Sequence, residues 1–224
     1  MGVVNVSNQF ADYRREIMIL RAEEKYYDLL KMCNMCVREC NDYMDFWFTY
    51  HNFSKAYEGL KDFDMAIKYE IKALTYIKDE EWRETEQSYS LWQLAECNKQ
   101  LGNIDRAIFH YKELSKVYRK IGAYKQRICM IANYAGLKKD EKALSKIIKI
   151  YQSDWFKPHL QIEKIDSYNQ LDEVLVEMYN MLIGIHKEQN QIDKIFLVIN
   201  SIKDDSIRKL MFKHIKVQSI EQIS

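Results

Sequence analysis

Three thiols stand at Cys33, Cys36 and Cys40, a Cys-x-x-Cys-x-x-x-Cys run of the kind that could ligate a metal ion or cycle between thiol and disulfide. A tetrahedral site needs a fourth ligand and a loop to carry it, and the neighbours Met32, Met35 and Val37 supply neither. On a helix the three positions fall along one face, where small apolar side chains pack. The expectation is buried core, with no metal and no cofactor. The five histidines, His51, His110, His159, His186 and His214, are scattered, and none sits at HExxH spacing. There is no Gly-rich phosphate loop, GxSxG elbow or EF-hand pattern. No catalytic residue is assigned, and the chain is expected not to be an enzyme. Lys138, Lys139, Lys142, Lys146 and Lys149 form a basic run that could meet phosphate, but Asp140 and Glu141 interrupt it. With a net charge of +1, a solvated helix face explains these lysines better than a nucleic-acid surface.

Side chains so dispersed must be positioned by whatever elements the rest of the chain builds. Pro occurs once and Gly six times in 224 residues, so few places can break a helix. Leu, Ile, Lys, Glu, Met and Gln are abundant and favour one. No apolar run approaches the ~18 residues of a membrane span. No secretory signal opens the sequence, and five cysteines without one point to reduced thiols in a cytoplasm.

The decisive pattern is a repeat. Lys61-Asp-Phe-Asp-Met-Ala-Ile-Lys-Tyr-Glu-Ile-Lys-Ala-Leu74 returns, reworked, as Leu101-Gly-Asn-Ile-Asp-Arg-Ala-Ile-Phe-His-Tyr-Lys-Glu-Leu114. Ala66 and Ala107 serve as anchors at the start of a second helix, and comparable anchors fall at Leu30, Ala143 and Ile195. Asp28, Asp64, Asp105 and Asp193 lie two residues before an anchor, in the first turn, where a carboxylate meets the positive end of the helix dipole. Self-similarity at this period marks stacked helical hairpins. The interval from Ala66 to Ala107 exceeds a 34-residue unit by about seven, which predicts that both helices of that unit lengthen together.

These features resemble the tetratricopeptide repeat, best over residues 47–120, where Tyr50, Phe53 and Tyr57 precede Ala66 and Ala73, and Leu91, Leu94 and Gly102 precede Ala107 and Tyr111. The resemblance implies an all-α superhelix of antiparallel helix pairs with a capping helix over Asp204–Ile220. The long interval from Ala143 to Ile195 holds the single Pro, and Pro158 should end a helix there. The expected division is three to four helix pairs over residues 1–152, an irregular connector at 153–166, and a final pair with its cap over 167–224. The long irregular units and the Lys-, Ile-, Asn- and Tyr-rich composition also resemble the repeat domains of Gram-positive peptide-sensing regulators.

In tetratricopeptide stacks the first helix of each unit lines a concave groove. Carried over, the ligand-facing offsets give Phe48, His51, Lys55 and Glu58, then Tyr89, Trp92, Glu96 and Lys99, then Lys125, Ile128 and Ala132, and finally Asn180 and Lys187. The carboxylate clamp of chaperone adaptors is not reproduced. Lys55 and Lys125 fit it, but His51, Gln93 and Cys129 stand where Lys, Asn and Arg are wanted. The implied function is a peptide- or protein-binding adaptor. A sensor of a short signalling peptide and an accessory or inhibitory subunit of an enzyme complex are the alternatives.

Overall fold

The computed structural model describes residues 9–77, 83–153, 167–202, 204 and 207–208, with side chains from 174 onward in the last long helix. Every regular element among them is a helix. The chain divides into two compact units, Met1–Gly122 and Ala123–Ser224. In the first, α1 (Gln9–Ala22) pairs with α2 (Tyr26–Cys36), α3 (Tyr43–Gly59) with α4 (Phe63–Leu74), and α5 (Glu84–Gln100) with α6 (Ile104–Lys120). In the second, α7 (Tyr124–Leu137) pairs with α8 (Glu141–Tyr151), and α9 (Ser167–Glu188) with α10 (Ile192–Ser201). The expected connector at 154–166 and most of the expected capping helix lie outside the described residues.

All five hairpins turn on one device. Glu24, Lys61, Gly102, Lys139 and Asn190 have φ between +53° and +73°, the left-handed region. In each, the next residue's N–H reaches back to a carbonyl five residues earlier, as Lys25 to Leu20, Asp62 to Tyr57 and Asn103 to Asn98. Asp140 to Ala135 and Gln191 to His186 complete the set. This is the Schellman closure, which satisfies carbonyls at the end of the first helix. Only one of the five turn residues is glycine, although a side chain in this conformation costs roughly 1–2 kcal/mol. Lys139→Gly should therefore stabilise the protein by about 0.5–1 kcal/mol, and Gly102→Ala should destabilise it by about as much. Urea titration of both variants reads the opposite signs directly.

Five residues after each of these five hairpin positions comes a buried side chain: Leu29, Ala66, Ala107, Leu144 and Ile195. Ala66, Ala73 and Ala107 occupy the helix contacts expected of them. The anchors of the first and fourth pairs, however, are Leu29 and Leu144, one position from Leu30 and Ala143, which stay half-buried. The turn sets the register, and the size of the residue does not. Asp28, Asp64, Asp105 and Asp193 all fall in the first turn of a second helix, as expected. Asp42, Asp62 and Asp140 add N-caps, accepting from the N–H of Asp45, Met65 and Ala143 at 2.9, 3.1 and 3.0 Å.

The long interval between Ala66 and Ala107 leads into a long pair, as expected: α5 and α6 each have 17 residues. The second helix lengthens against the 12 residues of α4, while α5 equals the 17 of α3. Between pairs the spacing also differs: α4 ends at Leu74 and α5 starts only at Glu84, whereas α6 runs to Lys120 and α7 starts at Tyr124.

The first unit's core is aromatic. Phe46, Tyr50, Phe53 and Tyr57, one face of α3, interleave with Tyr69 and Tyr76, with Phe53–Tyr69 centroids 4.8 Å apart and Phe46–Tyr76 4.9 Å. Cys33 and Cys36 are buried in this core, and Cys36 and Cys40 share the Thr49 hydroxyl at 3.4 and 3.3 Å. Burial pushes the Cys33 thiol up to about 12.

On α6, burial and the nearby Arg106 lower the His110 pKa below 6.5, and its Nδ1 is buried without a hydrogen bond. The unfolded chain then binds the proton more readily than the folded one. Stability from this residue is complete above pH 6.5 and is lost as pH falls from there toward the depressed folded value. His110→Gln should flatten the decline in unfolding free energy over that interval, measured by urea titration at stepped pH.

Candidate functional site

The residues singled out on α3 and α5 come together in the first unit because α3 packs on α4, α4 on α5, and α3 touches α5 directly. At the centre lies a contact that the repeat pattern did not signal. Glu70 of α4 is wholly buried, and both its carboxylate oxygens lie 3.0 Å from His51 Nδ1, which donates to them. Ala66, Glu70 and Ala73 share one helix face, so the spacing alone put Glu70 inside; its charge argued against it. Trp47 stacks on the His51 ring at 5.2 Å and 11°, and its indole N–H donates to the Ser90 hydroxyl at 3.0 Å. Two helices are thereby tied to α3 by polar contacts inside the fold.

Tyr89 lies over the outer edge of this cluster, 6.4 Å from the His51 ring, and remains 57% exposed. One turn on, Trp92 is 37% exposed and meets Tyr111 edge-to-face at 6.1 Å. The Tyr111 hydroxyl donates to Glu96, and Glu96 pairs with Lys99 at 2.7 Å. On α3, Lys55 pairs with Glu58 at 2.9 Å. Next to them Cys97 is buried and its thiol is pushed up to about 12, first by burial and then by the charge of Glu58. Gln93 donates to the Cys97 sulfur at 3.5 Å, and its carbonyl oxygen is buried without a partner.

The groove residues expected from the first unit thus divide. Tyr89 and Trp92 stand in solvent, braced from beneath. Lys55, Glu96 and Lys99 are engaged in pairs on the same surface. His51 is inside, held by Glu70, and Phe48 is only 7% exposed, with the Phe10 ring edge-on at 6.4 Å and the Arg14 guanidinium over it at 4.7 Å. The first helix, α1, covers the end of α3 that the offsets treated as open. In the second unit, Lys125 and Ile128 are half-buried on α7, Ala132 is buried, and Asn180 and Lys187 are exposed on α9. Trp47 and Glu70 are the site residues that the repeat offsets missed.

The acid and base that meet at the centre of this surface, Glu70 and His51, are paired with each other. A general base must reach the proton it takes, and the His51–Glu70 pair is sealed beneath Tyr89 and Trp47. What the arrangement can do is hold two aromatic side chains rigidly, with ion pairs already satisfied around them.

Residues 49–80 and 88–121 match the tetratricopeptide-repeat family, which spans α3–α4 and α5–α6 and agrees with the stretch where the sequence pattern is strongest. No curated protein sequence matches the chain. Among solved structures, the fold is similar to a Podosopora anserina protein assigned as a kinesin light chain with nearly identical TPR-like repeats. The two share 7% identity at a TM-score of 0.58 over 93% of this chain and 97% of that one. A single-substitution variant of that protein gives 8% identity at the same score and coverage. At such identity the likeness speaks for the fold alone. Among the described residues, no helix is long and apolar enough to cross a membrane.

Proposed function

We propose that this chain, which carries tetratricopeptide repeats, is a non-enzymatic adaptor that binds a peptide segment of a protein partner on the α3–α5 face of its first unit. The repeat fold itself is a protein-interaction scaffold. The observation that carries the finer reading is the pair Tyr89 and Trp92, exposed on one face of α5 yet each resting on a buried ring. Exposed aromatics held in one orientation lose little conformational freedom on contact, and such residues concentrate binding energy at interfaces. The neighbouring charges favour the same reading. Lys55 with Glu58, and Lys99 with Glu96, neutralise each other, so recognition by apolar contact outweighs recognition by charge.

The test is a displayed library of short peptides selected on the intact protein, followed by titration of the selected sequences. Tyr89→Ala and Trp92→Ala should each weaken binding by about 2 kcal/mol, with little salt dependence. Lys116→Ala, on an exposed ion pair of α6, should leave it unchanged. Peptides that bind wild type and the two aromatic variants equally would overturn this assignment of the surface.

A further inference from the structure

The second unit holds a groove that the reading above does not use. It runs between α7 and α8, with a volume of about 380 Å³. Ile128 and Ile131 form one wall, Ile147 and Ile150 the other, and Arg127 and Lys146 border it. Among the described residues, those two cations are the only charged ones in its lining. The Arg127 Nε is buried without a hydrogen-bond partner, and neither cation has an ion pair among the described residues. The basic run thus does more than face water: Lys146 stands at the edge of an apolar trough.

Two chemical demands meet here. The isoleucines repeat on each wall at helical spacing, and Tyr124 and Ala143 extend the same stripes by one turn. Such walls accept the i, i+3, i+4 and i+7 side chains of a third helix laid between them. The unpaired guanidinium N–H, in turn, carries a desolvation cost that an incoming carboxylate would remove. We propose that this groove docks an amphipathic helix of a partner protein, with Leu- or Ile-type residues on its apolar stripe and Asp or Glu beside that stripe to meet Arg127 and Lys146.

The probe is a fluorescein-labelled synthetic helix of about four turns, with leucines on one stripe and glutamates flanking it, titrated against the full chain. A twin carries lysines in place of the glutamates. The glutamate peptide should bind saturably and at least about tenfold more tightly than its twin. Arg127→Glu combined with Lys146→Glu should reverse that order, while Lys116→Glu leaves it in place. Lys146→Glu alone, at an exposed position, should narrow the preference, and it serves should the double variant lose its helical circular dichroism. Trp92→Ala should not alter this binding, which separates the groove from the α5 surface. Equal binding of the two peptides, no saturable binding of the glutamate peptide, or an order unchanged by charge reversal would each overturn the proposal.

Discussion

Glu70→Ala should destabilise the protein by about 3–5 kcal/mol, because it leaves the His51 ring buried without the carboxylate that its Nδ1 faces. The loss is large for a surface that looks, from outside, like two aromatics on a helix. It should appear as a shifted urea midpoint with little change in slope, since the unfolded chain exposes much the same area. Replacing both partners, with His51→Leu and Glu70→Leu together, should recover much of the loss, because a buried pair and a well-packed apolar contact are close in stability. A single Glu70 variant as stable as wild type would mean that the carboxylate is not held as described. The cluster also ties α3 to both α4 and α5, so Tyr89 should become more mobile in the Glu70 variant, and peptide affinity on α5 should fall with it.

Leu29→Ala should cost about 3 kcal/mol or more, whereas Leu30→Ala should cost under about half of that. Leu29 is completely enclosed in the core that also holds Cys33 and Phe53, while Leu30 is half-buried. Leu144→Ala against the half-buried Ala143 poses the same question in the second unit. Thermal unfolding of the Leu29 and Leu30 variants side by side decides the register. Equal losses at the two positions would return the anchor to its sequence-based assignment.

That one-residue difference shows which parts of the fold can be read from the chain. Ala66, Ala73 and Ala107 were legible because a small side chain at a close helix contact stands out among larger neighbours. Leu29-Leu30 and Ala143-Leu144 offer two apolar candidates each, and composition cannot choose between them. The left-handed turn chooses, and it is hidden: Glu24, Lys61, Lys139 and Asn190 carry it where glycine would have announced it. The site was legible to the same degree. Tyr89 and Trp92 followed from helical offsets on a strongly periodic stretch. Phe48 did not, because the transferred offsets take no account of the cover that α1 supplies through Phe10, Tyr13, Ile17 and Leu20, which recur on one helical face. Glu70 was masked by its own charge, since a carboxylate on a surface-like helix is ordinarily solvated.

The constant five-residue step from each left-handed turn to its buried anchor has a bearing on how such a chain can change length. An insertion or deletion inside that step would rotate the whole second helix by about 100° per residue and carry its anchor out of the contact. Between pairs no such fixed step recurs: the gap from Leu74 to Glu84 and that from Lys120 to Tyr124 differ in length. Grafted loops, tags or whole inserted modules therefore belong at the junctions between hairpins. A hairpin lifted from this array keeps its geometry only if it is cut there, with turn and anchor transferred as one piece.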